Sequence, residues 1–375
     1  MNFRIVHVSA YYPPHLGGME YRTKDIAESF AKREYRVDIF TSNIGCRNGK
    51  LQGTKNLHIH YLQALEFAHT AIMPSLFFHL LFLPKNSIMH LHVAHAVTAE
   101  ITYLICKLRK LPYIAHIHLD VSATGKAGFL LPFYKKYFLA PVLRHADAIL
   151  VLTEDYKSLI HKKYAISEEN IHVIPNGTYF PLANSRHTSA HKPIRLLFLG
   201  RFSKQKNLPL LLDALVAFRS RYALDVHLTI AGNGEEKSTI LNHIQKKNIA
   251  SCVTMKGEVS PETAQKLYSM SDIFILPSSE ESFGTVLIEA MASGTAIIAT
   301  NILAVRNIIK HGRNGLLVEQ NPIDLAKAIY LLATDGKLRK KLVAQGKKDV
   351  IQYNWEKITD RYEALYQMVL RRRKT

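Results

Sequence analysis

Short apolar runs alternate with longer amphipathic stretches along this chain, and the pattern occurs twice. In the first half the runs lie at 3–9 (FRIVHVS), 36–41, 57–62, 87–92, 112–118 and 147–152. Helical periodicity fills the gaps, as at 19–33 and 96–109. The pattern restarts after residue 193, with runs at 194–199, 226–231, 252–255, 272–276, 296–299 and 315–318. Helical stretches follow at 207–219, 262–270, 284–293 and 322–332. Such alternation calls for parallel sheets: each crossover returns the chain through a helix, and the helices cover both faces. Residues 175–193 (PNGTYFPLANSRHTSAHKP) are polar, aperiodic and rich in chain breakers, as an interdomain linker would be. The expectation is an α/β chain of two doubly wound domains facing across a cleft. The domains are 1–175 and 194–353, with a linker at 176–193. Residues 354–375 hold a last helix and a basic tail.

Composition narrows the class. Of 375 residues, 47% are hydrophobic and 21% charged, which excludes a disordered, collagenous or low-complexity chain. Cys46, Cys106 and Cys252 are far apart with no CxxC pair. That excludes a disulfide scaffold, a zinc ribbon and a thioredoxin-like site, and points to a reducing compartment. The formal charge of +19 favours anionic partners: phosphorylated ligands, nucleic acid or an anionic membrane surface. The excess is spread along the chain, +7 before Pro175 and +12 from there on. Residues 371–374 form the one pure basic run, read as a solvated tail ahead of a binding element. Residues 3–10 are apolar, but Pro13 and Pro14 follow them in place of a small-residue cleavage site, so no signal peptide is read. The apolar segment 72–83 (IMPSLFFHLLFL) is shorter than the roughly 20 residues of a membrane span. It reads as a core helix, ahead of a helix lying on a membrane surface.

In open α/β sheets, ligands bind where strand carboxyl ends meet helix N-termini. The candidate residues are therefore sought in loops after strands. Gly17 and Gly18, after the first strand, let the backbone approach an anion, and a tight turn accounts for them equally well. Gly232 and Gly234 begin a G-x-G-x-x-G, but Lys237 stands where the third glycine belongs, so a strand-to-helix turn explains them. In GRFSKQKN (200–207), Arg201 offers a bidentate fork and Lys206 a point charge. Cations at a helix start ask for an anion, the alternative being a solvated basic loop.

The segment 277–290 (PSSEESFGTVLIEA) is the most informative. Glu281 sits in the loop, and Glu289 lies eight residues on, about one turn inside a helix that begins near Gly284. Both carboxylates can face one ligand while the N–H groups of Gly284, Thr285 and Val286 take a phosphate. Simple capping of the helix dipole is the other reading.

Taken in order, these motifs resemble the retaining GT-B glycosyltransferases, specifically glycosyltransferase family 4. The resemblance rests on the GG loop at 17–18, PYIAHIH at 112–118, IPNG at 174–177, LGRFSKQKN at 199–207, AGNG at 231–234 and KGEV at 256–259. LPSSEESFGTVLIEAMASGTAII at 276–298, NGLLV at 314–318 and NWEKITDRYEALY at 354–366 complete it. It implies a GT-B fold of two Rossmann-like domains, the first on the acceptor side and the second on the nucleotide-sugar side. The last helix would cross back to the first domain.

The resemblance also implies roles. Arg201 and Lys206 match the pair that neutralises the donor diphosphate. Glu281 matches the carboxylate that contacts the transferred sugar, and Glu289 the one that holds the ribose hydroxyls. Phe283, Gly284, Thr285 and Val286 belong to the donor-binding segment, whose backbone takes the distal phosphate. Gly17 and Gly18 would close over that phosphate from the other domain. Val259 matches a position near the base, and His118 the active-site histidine. Fourteen of the 19 histidines precede Pro175, and His90/His92 and His116/His118 pair at i, i+2. No H-E-x-x-H accompanies them and the family needs no protein-bound metal, so no metal and no tightly bound cofactor are expected. His92 is read as lining the cleft and His116 as structural.

The implied activity is metal-independent retaining transfer of a sugar from a UDP- or GDP-linked donor to a hydroxyl acceptor. The basic surface and the apolar segment 72–83 add the expectation of a glycan or lipid-linked acceptor of cell-envelope synthesis, with the protein in the cytoplasm at the inner face of an anionic membrane. The rivals are another GT-B nucleotide-sugar enzyme, such as an epimerase, and a basic nucleic-acid-binding protein. The second has only charge in its favour, and no nucleic-acid partner is expected. Thr178-Tyr179 after IPNG, Ser282 after the first Glu, and 301–307 depart from the family pattern, all bearing on sugar and acceptor choice.

Overall fold

The computed structural model describes residues 3–15, 17–46, 49–67, 70–93, 96–118, 131–181 and 193–373. They form two units, Met1–Asn176 with Trp355–Thr375, and Gly177–Asn354. Residues 182–192 of the expected linker lie outside the described residues.

The first unit has strands β1 (Arg4–Val8), β2 (Val37–Ser42), β3 (Leu57–Leu62), β4 (Leu65–Phe67), β5 (Thr70–Ile72), β6 (Ser87–Val93), β7 (Tyr113–Ile117), β8 (Ala148–Val151) and β9 (Ile171–Val173). Its helices are α1 (Gly18–Lys32), α2 (Leu76–Leu81), α3 (Thr98–Arg109), α4 (Leu131–Tyr134), α5 (Ala140–Arg144) and α6 (Glu154–Tyr164). A π-helical stretch, Lys135–Leu139, joins α4 to α5. The sheet order is β3-β2-β1-β6-β7-β8-β9, parallel throughout. Every residue of the central strand β6 is buried, as expected when helices cover both faces. The β4–β5 ribbon is antiparallel, and its three-residue strands are too short to show periodicity in sequence. The segment 72–83 is not one helix. Ile72 ends β5, Pro74 intervenes, and α2 is six residues long.

The second unit has β10 (Ile194–Leu199), β11 (Val226–Ala231), β12 (Val253–Gly257), β13 (Ile273–Leu276), β14 (Ala296–Thr300) and β15 (Leu316–Val318). Its helices are α7 (Leu208–Arg221), α8 (Lys237–Lys246), α9 (Pro261–Met270), α10 (Thr285–Ala292), α11 (Leu303–Ile308), α12 (Pro322–Thr334) and α13 (Gly336–Asp349). The order β12-β11-β10-β13-β14-β15 is again parallel. The strand order reverses between β10 and β13, so the loops leaving these two strands flank the switch point. Local chemistry sets the helix starts: Ser260 before Pro261 caps α9, and Asn321 before Pro322 caps α12.

The last helix, α14 (Trp355–Arg372), belongs to the first unit. Its buried stripe of Trp355, Ile358, Tyr362, Leu365, Tyr366 and Val369 has helical spacing. The stripe packs with Ile26 and Phe30 of α1 and with Ile5, Ile88 and Ile114 of the sheet. Arg33 clamps the helix at Asp360 and Glu363, at 2.7 and 2.8 Å. The opposite sheet face, carrying Met89, Leu91 and Ile117, is covered by α2, α3, α5 and α6. Among the described residues no helix is long and apolar enough to cross a membrane.

Candidate functional site

In the second unit the loops after β10 and β13 meet. Backbone bonds from Phe202 to Asn233 (2.8 Å) and from Gly200 to Ala231 (3.1 Å) lay the first loop on the AGNG turn. Gly234 has a φ of +156°, and a Cβ there would come within 2.7 Å of the Phe202 nitrogen. The glycine is therefore fixed by close packing, which supports the turn reading and shows how that turn shapes the basic loop. Ser279 then donates its N–H to the Gln205 carbonyl at 2.8 Å, joining the basic loop to the loop after β13.

That junction brings Lys206 to Glu281 as a short ion pair, with Ser278 Oγ donating to the same carboxylate at 2.8 Å. Thr300 Oγ1 in turn donates to the Ser278 carbonyl. Lys206 closes a 3₁₀ turn, Lys204–Lys206, just before α7. Arg201 lies elsewhere. It is exposed and pairs with Glu235 at 3.2 Å, so the two cations expected to act as a pair point to different carboxylates.

Glu289 lies in the second turn of α10 and accepts a hydrogen bond from the buried Tyr268 hydroxyl of α9 at 3.2 Å. Gly284 precedes α10 with φ +89°, ψ +56°, and the helix start carries no side-chain cap. Thr285 and Val286 are half-buried there. The Phe283 side chain is 2% exposed and meets Tyr353 edge-on at 5.8 Å. The buried ring supports the loop from beneath and leaves the backbone of this position for any ligand contact. Val259 is half-buried in the turn after β12, beside the Ser260 cap of α9.

In the first unit Gly17 precedes α1 with extended backbone, and a Cβ on Gly18 would meet nothing within 4 Å. A Cβ on Gly17 would run into the Glu20 carboxylate, which is buried and bonded to His15 at 3.0 Å. Glu20 thus stands at the turn expected to approach an anion.

His118 follows β7 and ends a line of imidazoles. Its Nε2 lies 2.9 Å from His92 Nδ1, and His92 Nε2 lies 3.0 Å from His7 Nδ1. A second line runs from His116 through His90 (3.0 Å) to the Tyr366 hydroxyl (2.5 Å). All five histidines are buried on the sheet face that α14 covers. Strand alternation puts His7 with Ile5, His90 and His92 with Ile88, and His116 with Ile114. Burial pushes the His7 and His118 pKa down to about 3, and holds His90, His92 and His116 well below the usual range. His92, expected to line the cleft, is enclosed in this array. The triads His7–His90–His92 and His92–His116–His118 each bring ligand atoms within 4.8 Å. Both nitrogens of His92 and both of His90 have hydrogen-bond partners within the array, while His7 Nε2 and His116 Nε2 are buried without one among the described residues.

Two family comparisons together span most of the chain. Residues 16–178 match Glycosyltransferase Family 4, and residues 182–349 match Glycosyl transferases group 1. A phosphatidyl-myo-inositol mannosyltransferase of Mycobacterium tuberculosis is 32% identical over 296 residues, covering 75% of this chain and 74% of that protein.

The chain belongs to glycosyltransferase family 4.

An N-acetyl-alpha-D-glucosaminyl L-malate synthase of Bacillus anthracis is 24% identical over 383 residues, 96% of each chain. The Anabaena protein HepE, solved with UDP and glucose, superposes with a TM-score of 0.77 at 14% identity, covering 98% of this chain and 100% of its own. The fold of this glycosyltransferase is thus GT-B. Sequence reasoning missed the roles of Tyr268, Ser278, Ser279 and Gln205 in holding the two carboxylate positions. Ser278 and Ser279 lie inside the motif, but nothing local to α9 marks Tyr268.

Proposed function

We propose that this glycosyltransferase moves a sugar, with retention, from a nucleotide-diphospho-sugar to a hydroxyl of a glycan or lipid-linked acceptor. The observation that carries the reading is the meeting of Lys206, Glu281 and the start of α10 on adjoining loops at the β10/β13 switch point. The bond from the sugar's anomeric carbon to the distal phosphate oxygen breaks, and the nucleoside diphosphate leaves with the electron pair. The acceptor oxygen bonds to that carbon on the same face, and its proton passes to the departing phosphate. Lys206, the α10 N-terminus and Arg201 stabilise the negative charge on the leaving group. Arg201 reaches it by exchanging Glu235 for phosphate. Side-chain cations take the part a metal would play, so the reaction is metal-independent.

Glu281 contacts the transferred sugar and Glu289 the ribose hydroxyls. Gly284, Thr285 and Val286 offer backbone to the distal phosphate, and Val259 lies toward the base. The family resemblance further assigns His118 to the sugar and Gly17 and Gly18 to the phosphate. A neutral His118 suits contact with a sugar hydroxyl, because it can donate or accept there without burying a charge. The acceptor belongs to envelope synthesis on the inner side of the membrane. The mannosyltransferase relative, named for a phosphatidyl-inositol acceptor, supports a lipid-linked substrate.

The test is thermal unfolding with UDP, GDP and ADP, each with and without magnesium, and with Lys206→Ala as control. Binding to the folded state raises stability by RT ln(1 + [L]/Kd), so at a hundredfold excess over Kd the gain is about 2.7 kcal/mol. A shift with one nucleotide, without magnesium and lost in Lys206→Ala, supports the assignment. No shift with any nucleotide rejects it.

A further inference from the structure

Three neighbouring helical elements of the first unit each turn a large apolar pair, four residues apart, out to solvent. On α2 and its end the pair is Phe78 and Phe82, 62% and 80% exposed. On α3 it is Leu104 and Leu108, 52% and 62% exposed. On α4 and the π-helical stretch after it, the pair is Phe133 and Tyr137, whose rings lie 4.6 Å apart.

The elements are adjacent. Arg109 of α3 donates to the Leu83 carbonyl just past α2 at 3.1 Å, and Tyr134 of α4 donates to Glu100 of α3 at 2.6 Å. The inner sides of α2 and α3 fill the core beneath the sheet, so these pairs lie on the outward side. Large apolar side chains turned to solvent on three adjoining helical elements mark an interaction surface.

The charge on the same stretch names the occupant. Between residues 70 and 118 the sequence has four Lys and Arg, Lys85, Lys107, Arg109 and Lys110, against one acid, Glu100. Residues 131–147 add Lys135, Lys136 and Arg144 against one acid, Asp147, which Arg373 pairs at 2.6 Å. Glu100 accepts the Tyr134 hydroxyl and is half-buried. Lys107 and Lys136 are exposed, each falling within one of these pairs in sequence, their amines 5.8 and 5.3 Å from the Tyr103 and Tyr137 rings. Aromatic and leucine side chains interleaved with lysine suit an interface with apolar chains below and anionic headgroups above.

We propose that the outward faces of α2, α3 and the α4 segment together dock this enzyme on an anionic lipid bilayer. The proposal extends the reading of a lipid-linked acceptor and rests on that reading only for its purpose. The segment 72–83 supplies part of the surface: Leu76, Leu80 and Leu83 face the core while Phe78 and Phe82 face out.

The experiment is flotation of the full chain with vesicles of phosphatidylcholine alone and of phosphatidylcholine mixed with phosphatidylglycerol, at low and high salt. The expected result is binding to the anionic vesicles, weakened by salt. Three exposed double variants probe the face: Phe78→Ser with Phe82→Ser, Leu104→Ser with Leu108→Ser, and Lys107→Glu with Lys136→Glu. Each should lower the bound fraction about tenfold or more without changing the melting temperature. No flotation with anionic vesicles overturns the proposal, as does flotation that none of the variants changes. Light scattering that shows the variants dissolving a dimer, without lipid binding, assigns the face to a second copy and also overturns it. The nucleotide shift is read in parallel. Its absence in wild-type protein that still floats rejects the donor reading and leaves the docking surface standing.

Discussion

Lys206 and Glu281, 75 positions apart in sequence, form an ion pair with side chains 20% and 8% exposed. Removing one partner strands the other in a poorly solvated place. Lys206→Ala and Glu281→Ala should each destabilise the chain by about 2 kcal/mol. The double variant should fall short of the sum by at least about 1 kcal/mol. Urea unfolding of the four proteins measures this, and additive losses would show that the pair contributes nothing as a pair.

Tyr268 holds the carboxylate of Glu289, the residue proposed to take the donor ribose. Tyr268→Phe removes the hydroxyl that holds the Glu289 carboxylate but leaves the ring buried against Phe274. Donor KM should rise roughly fivefold with kcat nearly unchanged, the pattern of lost uniform binding. A drop in kcat at constant KM would place Tyr268 in a different role.

Gly284 tests the proposed phosphate end of the site. Its φ of +89° is unfavourable for any residue with a Cβ, and a Cβ there would sit 3.0 Å from Leu287 Cδ1. Gly284→Ala should cost about 1–3 kcal/mol and weaken the nucleotide shift, because the backbone that starts α10 must move. Wild-type stability and nucleotide response together in this variant would refute the requirement.

The histidine array predicts acid sensitivity. A histidine whose folded pKa lies below its unfolded value takes up a proton as the chain opens. Its stabilising contribution is whole above about pH 6.5 and is lost as pH falls from there toward 3. Arg22 adds to the effect at His118, after burial itself. Each such group tilts stability by up to about 1.4 kcal/mol per pH unit in that window. His7→Val should reduce the slope by about that amount. An unchanged slope would mean that His7 is already protonated in the folded state.

Much of this molecule is legible in its sequence, for a local reason. Strand and helix periods are fixed by backbone geometry within a few residues, so β1, β6, β10, β13 and α14 show themselves as patterns of apolar side chains. The loops that must hold the site follow from the parallel strands, and the motif around Glu281 and Glu289 identifies the family. The pairings within the site depend on which loops meet, and no local window records that. Arg201 has the same sequence context as Lys206, yet one faces Glu235 and the other Glu281, because the AGNG turn seats one end of the loop and Ser279 anchors the other. Tyr268 reaches Glu289 only because α9 and α10 pack together. The histidines at i, i+2 promise a shared strand face, but β1, β6 and β7 must lie side by side before they become a bonded line ending at His118. The period of α3 likewise shows that Leu104 and Leu108 share a face. Only the packed structure leaves that face uncovered, beside two others like it.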